Sequence, residues 1–507
     1  MKSNNNGQLT IALSQALSRV KTSSFTDCEI TSCTLDPKRS TKNGLFVCAE
    51  TDAEAALAAI RDATNAGASV AVASSALESA LSSRSDVLKG VQTVFVEDPR
   101  EAYGNAVHAL RGYPGRKLRL IGISGSAGKT SLSYVIGGVL AEAGMRVGLI
   151  GSLGVYDGKK LSPTLETTPE PERLAELLAT MVENGCECAI IEASSVALAE
   201  GRLAGLELDA ACLTNIRRDH LDYHGSVDAY RRAKMKLFSY LKENGVAICN
   251  VDDRVTAAAL HMIDRPTLTV GVQPTVCSVS GTPVERQSGE QTFYVVAGSD
   301  AAPIRTTIIG KEHIYNCLEA AALAVSWKID MKTIARGVER VAFIPGRMER
   351  VDCGQPFAVY LDRANSPDSL AAALETARSV ALGSVYCVLC APNDGDHTKR
   401  PLMGRAAETG AEFVAITRGN LAESQTIESF DELRRGFEKP DAVQIIPDRK
   451  SAIIWALSRA SVDDAVVIVG QDVSSLDSIN EFFVPDRQFV RNWLYENQTS
   501  AESFWFN

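Results

Sequence analysis

LRLIGISGSAGKTS, residues 118–131, runs an apolar strand into a glycine-rich turn and then into the start of a helix. Glycines at 125 and 128 let backbone N–H groups converge on phosphate oxygens, and Ser126, Ala127 and Ser131 complete the wall of such a loop. Lys129 supplies charge to the terminal phosphates of a nucleotide, and Thr130 has the hydroxyl that ligates Mg²⁺ in loops of this kind. The spacing departs from G-x-x-x-x-G-K-[ST]: Ile123 stands at the first glycine position, and the pattern is G-x-x-G-x-x-G-K-T. A chance Gly-Lys-Thr is common. One preceded by a strand and followed by a helix is not, so a nucleoside triphosphate such as ATP is the expected ligand.

Outward from this loop, apolar strands alternate with helices. MRVGLIGS, CECAIIEAS, LDAACLTNI and GVAICNVDD follow in turn, with a helix expected around residues 172–184. That alternation predicts a doubly wound parallel sheet. Residues 267–307 are less regular and suggest a small antiparallel excursion, followed by a helix around residues 313–327. The turn Ile344-Pro345-Gly346 marks a boundary. Beyond it FAVYLD, VYCVLCAP, EFVAITR, AVQIIPD and AVVIVGQD alternate with alanine-rich helices, a second Rossmann-like pattern. Before the loop, GLFVCAE and ASVAVASS are strand-like, and GYPGRK closes the first segment. The expected architecture is therefore α/β in three domains, 1–113, 114–343 and 344–507, as the length of 507 residues also suggests at about 150 residues per domain. The last of the three would close over the central one through a hinge at residues 344–346, with the nucleotide between them.

Bulk properties exclude several classes. A net charge of -10 argues against nucleic acid as a partner, and no apolar run reaches the roughly 20 residues that would cross a bilayer, so no membrane partner is expected. The N-terminus has no secretory pattern, and twelve cysteines are scattered singly, among them Cys188, Cys212 and Cys249 in apolar runs. A reduced, cytoplasmic protein is expected, and a monomer. Cys387 and Cys390 have C-x-x-C spacing but lie in the run SVYCVLC, which reads as a buried strand rather than a redox site.

The loop Ser124-Gly125-Ser126-Ala127-Gly128-Lys129-Thr130 resembles the T-G-T-N-G-K-T of the Mur ligases. LETTPEPERL, the long segment IEASSVALAEGRLAGLELDAACLTNIRRDHLDYHGSVDAYRRAKMKLF, NVDD, HIYNCLEAAA, IPGRMERV and KRPLMG follow in that family's order. The likeness is greatest to the branch that adds the third peptide residue to a UDP-N-acetylmuramoyl-dipeptide. It implies an ATP- and Mg²⁺-dependent ligase whose small-molecule partners are a UDP-muramoyl-peptide and an amino acid. ATP would phosphorylate a substrate carboxylate, and an amine would attack the acyl phosphate; such chemistry needs charge neutralisation and alignment more than a protein nucleophile. By resemblance Glu192 and His220 are Mg²⁺ ligands and Lys234 is a lysine carbamylated by CO₂. Asn316, Arg347 and Asp362 hold the nucleotide, and Thr167, Thr168, Ser194 and Arg202 bind the muramoyl peptide. Taken singly each has a plainer reading: Glu192 as a turn cap, His220 as a hydrogen-bonded loop residue, Lys234 as a solvated helix charge, Arg347 and Asp362 as surface ion pairs. The constellation carries the functional one.

The chain also departs from the family. Glu166, Val196 and Glu200 replace asparagine, histidine and glutamine, Pro37 replaces a serine near the uracil, and new carboxylates would repel a diphosphate. In the third domain D-Y-A-H-T-P is Asp362-Arg363-Ala364-Asn365-Ser366-Pro367, D-N-P-R is Gly419-Asn420-Leu421-Ala422, and G-K-G-H-E is Gly470-Gln471-Asp472-Val473-Ser474. The usual recognition of diaminopimelate is not supported. Two expectations follow: an active amino-acid ligase with a changed acceptor, or a non-catalytic homologue that binds ATP or a muramoyl nucleotide as a regulatory or scaffolding module.

Overall fold

The computed structural model describes residues 2–3, 9–84, 88–272, 276–392, 396–419, 423–470 and 486–502. Three α/β sheets follow one another along the chain, with a short three-stranded ribbon before them.

The central sheet has eleven strands. Its parallel core runs, in spatial order, Val147–Gly151, Cys188–Glu192, Arg119–Ser124, Leu208–Leu213, Leu241–Asn250 and Thr267–Gly271. Leu120 packs on one face with Leu174, Leu178 and Tyr230, while Ile121 and Ile123 pack on the other with Leu132, Ile136, Ile314 and Leu318. Both faces are dry because helices cover both. That is why the strands read as continuous apolar runs rather than alternating ones. The expected helices are Pro171–Glu183 and Lys311–Ser326. The irregular passage proves mixed. Thr267–Gly271 and Val279–Gln287 both stay parallel to their predecessors, and antiparallel pairing begins only with Glu290–Ala297 and Asp300–Thr306, extending the same sheet instead of forming a separate one.

The last sheet orders as Glu349–Arg350, Ala358–Asp362, Ala465–Val469, Val385–Cys390, Phe413–Thr417 and Gln444–Ile445, all parallel except the first. Cys387 and Cys390 both lie buried in one strand, three positions apart, so the period of two sends their side chains to opposite faces, and neither forms a disulfide. The first sheet is parallel, Ser32–Thr34, Gly44–Val47, Ala68–Ser74 and Gln92–Val96. Ser32–Thr34 and Gln92–Val96 carry no apolar run long enough to stand out in the sequence.

Register fixes the site. Glu192 pairs beside Ile123 and Leu213 beside Ser124, so the phosphate loop, Glu192 and the Thr214-Asn215 turn all leave the carboxyl edge of the sheet together. The antiparallel extension reaches the last sheet: Tyr360 Oη donates to Ser288 O at 2.6 Å, and Arg286 donates to Ser379 Oγ at 3.1 Å.

Candidate active site

The loop is held from behind. Thr214 Oγ1 donates to Ala127 O at 2.5 Å, Ala127 N donates to Asn215 Oδ1 at 3.0 Å, and Ser126 N to Asn215 O at 3.0 Å. Ser126 Oγ lies 2.8 Å from Tyr230 Oη. Gly125 and Gly128 have φ of 149° and 90°; a Cβ on Gly125 would overlap Thr214 Oγ1, and one on Gly128 would come within 2.8 Å of Asn316 Oδ1. The glycines thus serve close approach as much as backbone freedom. The helix Lys129–Glu142 begins at once, and its unpaired first-turn N–H groups and dipole make the loop an anion cradle.

Charge is packed densely around it. Thr130 Oγ1 donates to Glu192 Oε2 at 2.9 Å and lies 2.9 Å from Ser152 Oγ. Glu192 is 1% exposed, and burial raises its pKa against the opposing pull of Lys129, the Thr130 hydroxyl and Arg347. It does not cap the following turn; Ser194 does, accepting from Ala197 N at 3.1 Å. Lys129 Nζ and Lys234 Nζ both donate to Gly125 O, at 2.8 and 2.7 Å. Burial lowers the pKa of each, that of Lys234 strongly, with Lys129 pushing it further. Lys234 is 1% exposed, so it is no solvated helix charge, and it stands behind the loop over the Tyr230 ring rather than in the cavity wall.

A cavity of about 730 Å³ runs from this loop to the last sheet. Residues 126–131, Glu192, His220 and Asn316 line it on the central side, and Arg347 and Asp362 on the other. Arg347 donates to Thr130 Oγ1 at 3.4 Å, and Asp362 accepts from Met348 N at 2.8 Å; among the described residues neither forms the surface ion pair with another side chain that its type alone would suggest. Burial raises the Asp362 pKa, with Arg347 opposing. His220 adopts a left-handed φ of 49° beside Asp219, which is buried. Asp219 Oδ1 takes an ion pair at 3.3 Å from Lys399 Nζ, which arrives from the last sheet's side; both side chains are 5% exposed. Asp219 and Lys399 stood inside RRDHLDYHG and KRPLMG without a role, since pairing between remote segments leaves no local signal.

Thr130, Ser152 and Glu192 offer hard oxygen donors within reach of one another, a set that suits Mg²⁺, an ion that takes most of its ligands from phosphates and water. Among the described residues no three His, Cys, Asp or Glu side chains converge as a metal site, and His220 makes no contact with Glu192 that would complete one.

The opposite end of the cavity is formed by Thr167, Thr168, Ser194, Val196 and Arg202. Thr168 Oγ1 donates to Glu192 O at 2.7 Å and accepts from Ser194 N at 3.0 Å. Arg202 pairs with Glu200 at 2.8 Å, Glu166 at 2.9 Å and Glu170 at 3.0 Å. Pro37 lies in the short turn Pro37–Arg39 of the first sheet's unit. Residues 420–422 and 471–474, where two family motifs are altered, lie outside the described residues.

A glycine loop at the carboxyl edge of a parallel sheet, faced across a cavity by a second α/β unit, defines a nucleotide-binding protein of the phosphate-loop kind. More narrowly, the chain belongs to the Mur ligase family: residues 123–324 match the Mur ligase middle domain and residues 346–471 the Mur ligase, glutamate ligase domain. It is 34% identical over 417 residues to the UDP-N-acetylmuramoyl-L-alanyl-D-glutamate--2,6-diaminopimelate ligase of Geobacillus thermodenitrificans, covering 80% of this chain and 85% of that one. A solved structure of a ligase of the same description superposes with a TM-score of 0.63 at 25% identity, over 87% of this chain and 89% of the other. The MurF ligase of Thermotoga maritima in complex with ADP shares the fold, with a TM-score of 0.58 at 16% identity over 87% and 94% of the two chains.

Proposed function

We propose that the protein is an ATP-dependent ligase that adds an amino acid to UDP-N-acetylmuramoyl-L-Ala-D-Glu in peptidoglycan precursor synthesis. The observation that carries this reading is the single cavity in which the phosphate loop, Glu192, the Thr168-Ser194-Arg202 end and Arg347 and Asp362 all meet. It rests also on the family and on the activity named for its relatives.

In this reading residues 125–131 cradle the ATP phosphates, with Lys129 and Arg347 countering their charge, Asn316 against the loop and Asp362 towards the ribose. The substrate carboxylate takes the γ-phosphoryl group, releasing ADP. The amine then attacks the acyl carbon, phosphate leaves, and the amine's proton passes to solvent or base. Placing the reactants side by side in one cavity against preorganised charges supplies most of the acceleration. Thr130, Glu192 and His220 would hold Mg²⁺, which would neutralise phosphate charge. Lys234, with its pKa depressed by burial, favours the neutral amine that carbamylation by CO₂ requires. Thr167, Thr168, Ser194 and Arg202 would face the muramoyl peptide. The three sheets would mark three domains, 1–113, 114–343 and 344–507. We expect a cytoplasmic monomer, the first in keeping with twelve cysteines of which none forms a disulfide.

The second reading, a non-catalytic homologue binding ATP or a muramoyl nucleotide, is favoured by one observation: Arg202 is already paired with three carboxylates. Phosphate release from ATP and Mg²⁺, measured with the nucleotide dipeptide and each of a panel of amino acids, decides between them. Release that needs both substrates supports the ligase and names its acceptor. ATP binding without release under any combination supports the second reading.

A further inference from the structure

Arg202 is the one guanidinium at its end of the cavity among the described residues, and nearly all its donors are spent. Nε reaches Glu200 Oε2, Nη1 reaches Glu166 Oε2 and the Thr168 carbonyl, and Nη2 reaches Glu170 Oε1. Three carboxylates meet on this guanidinium; Arg100 stands beside them, its Nη1 donating to the Glu200 carbonyl at 3.4 Å and its charge acting on Glu170, so the carboxylates still outnumber the cations. Glu200 is further fixed by the Tyr223 hydroxyl at 3.3 Å. Burial alone would lower the Arg202 pKa, but the Glu200 hydrogen bond and the charges of Glu170 and Glu166 more than offset it and leave it raised. Glu166 and Glu170 come from the segment before the helix Pro171–Glu183, and Glu200 from the end of the helix Ser195–Ala199, so separate parts of the chain converge on one cation. Neutral amides at positions 166 and 200 would keep hydrogen bonds to Arg202 while leaving its charge to act on the cavity. Carboxylates quench that charge and reverse its sign.

We infer that Glu166 and Glu200 are specificity-determining residues: resident anions that compete with the anionic donor for Arg202 and thereby set its affinity. An anionic ligand at this end must displace one or both of them; Glu166, 48% exposed, is the freer to move, while Glu200, 24% exposed, must also give up the Tyr223 hydroxyl. Displacement exchanges one charge-assisted pair for another, so the site rewards only a ligand that brings further contacts along the cavity.

The inference rests on the donor assignment above, and its test separates the two. Titration calorimetry of UDP-N-acetylmuramoyl-L-Ala-D-Glu against the full chain and against the E166N/E200Q double variant should show Kd falling at least about tenfold in the variant. Kd for a non-hydrolysable ATP analogue should stay constant. Adding R202M to the double variant should abolish the gain, a non-additivity that a merely structural role for the two glutamates would not produce. Equal or weaker donor binding by the double variant overturns the inference alone. Absence of donor binding by both proteins, with ATP-analogue binding intact, overturns the inference and the donor assignment together.

Discussion

Lys129 and Lys234 send two ammonium groups to one carbonyl, that of Gly125; Lys234 is buried and Lys129 half-buried at the cavity wall. Two neighbouring cations in a dry site resist full protonation, which is the condition a lysine needs if its amine is to react with CO₂. The stability consequence has a definite sign. A lysine whose folded pKa lies below its unfolded value of 10.5 contributes stability above 10.5, and loses it as pH falls through the folded pKa. Lys234→Met should therefore abolish turnover while its melting temperature near pH 7 equals or exceeds that of the parent, the difference narrowing as pH approaches 10.5. Calorimetric melts across that range, with phosphate release alongside, check both halves. A variant that turns over normally removes Lys234 from the chemistry. Lys129→Ala should lose nucleotide binding outright, measurable by calorimetry with the ATP analogue.

Elements carry their own tensions. The helix Lys311–Ser326 sets Asn316 against the phosphate loop and, one turn on, buries Glu319 completely; neither Glu319 oxygen has a hydrogen-bond partner among the described residues. Burial raises its pKa well above 4.5, with Glu312 adding to the effect, which favours the neutral acid in the core. A carboxyl raised in this way contributes stability below 4.5, and the contribution is lost as pH rises through the folded pKa. Glu319→Leu should raise stability by about 1–3 kcal/mol, more at higher pH, because an unpaired buried polar group is replaced by an apolar one of similar size. Urea titrations at acid and alkaline pH measure this, and a loss of stability would point to a polar role for the side chain. In the strand Val385–Cys390 the two thiols face opposite ways, so Cys390→Ser should keep turnover within about twofold at a modest cost in stability. A large loss of phosphate release would contradict the core assignment.

At the scale of the molecule, the central and last sheets are joined across the cavity by few polar links. The most buried of them is Lys399 on Asp219, next to His220. Taking both charges out of water is costly; without Lys399, Asp219 keeps the His220 ring and the charges of Lys129 and Lys234 nearby, so the loss stays below the roughly 3–5 kcal/mol typical of a buried charge left wholly unpaired. Lys399→Met should open the two units, giving a larger radius of gyration by small-angle scattering and a fall in turnover, and an ATP analogue should partly restore the compact form by bridging the phosphate loop to Arg347 and Asp362. Identical scattering profiles for parent and variant would make the pair incidental to closure.

Sequence alone determined the central sheet, the phosphate loop and the second nucleotide-fold pattern, because these rest on short-range signals: apolar runs sized to doubly covered strands, and glycines where backbone must approach a phosphate. It also singled out residues that the fold brings to one cavity, Asn316 from HIYNCLEAAA and Arg347 from IPGRMERV among them. It missed Ser32–Thr34, only three residues long, and Gln92–Val96, in which Gln92 and Thr93 leave an apolar run of three. Tertiary structure alone decided which charges meet. The burial of Lys234, the ion pair of Asp219 with Lys399 and the three carboxylates on Arg202 join segments between 2 and 180 positions apart, and Coulomb energy depends on distance in space and on exclusion of water, neither of which is written in the order of residues.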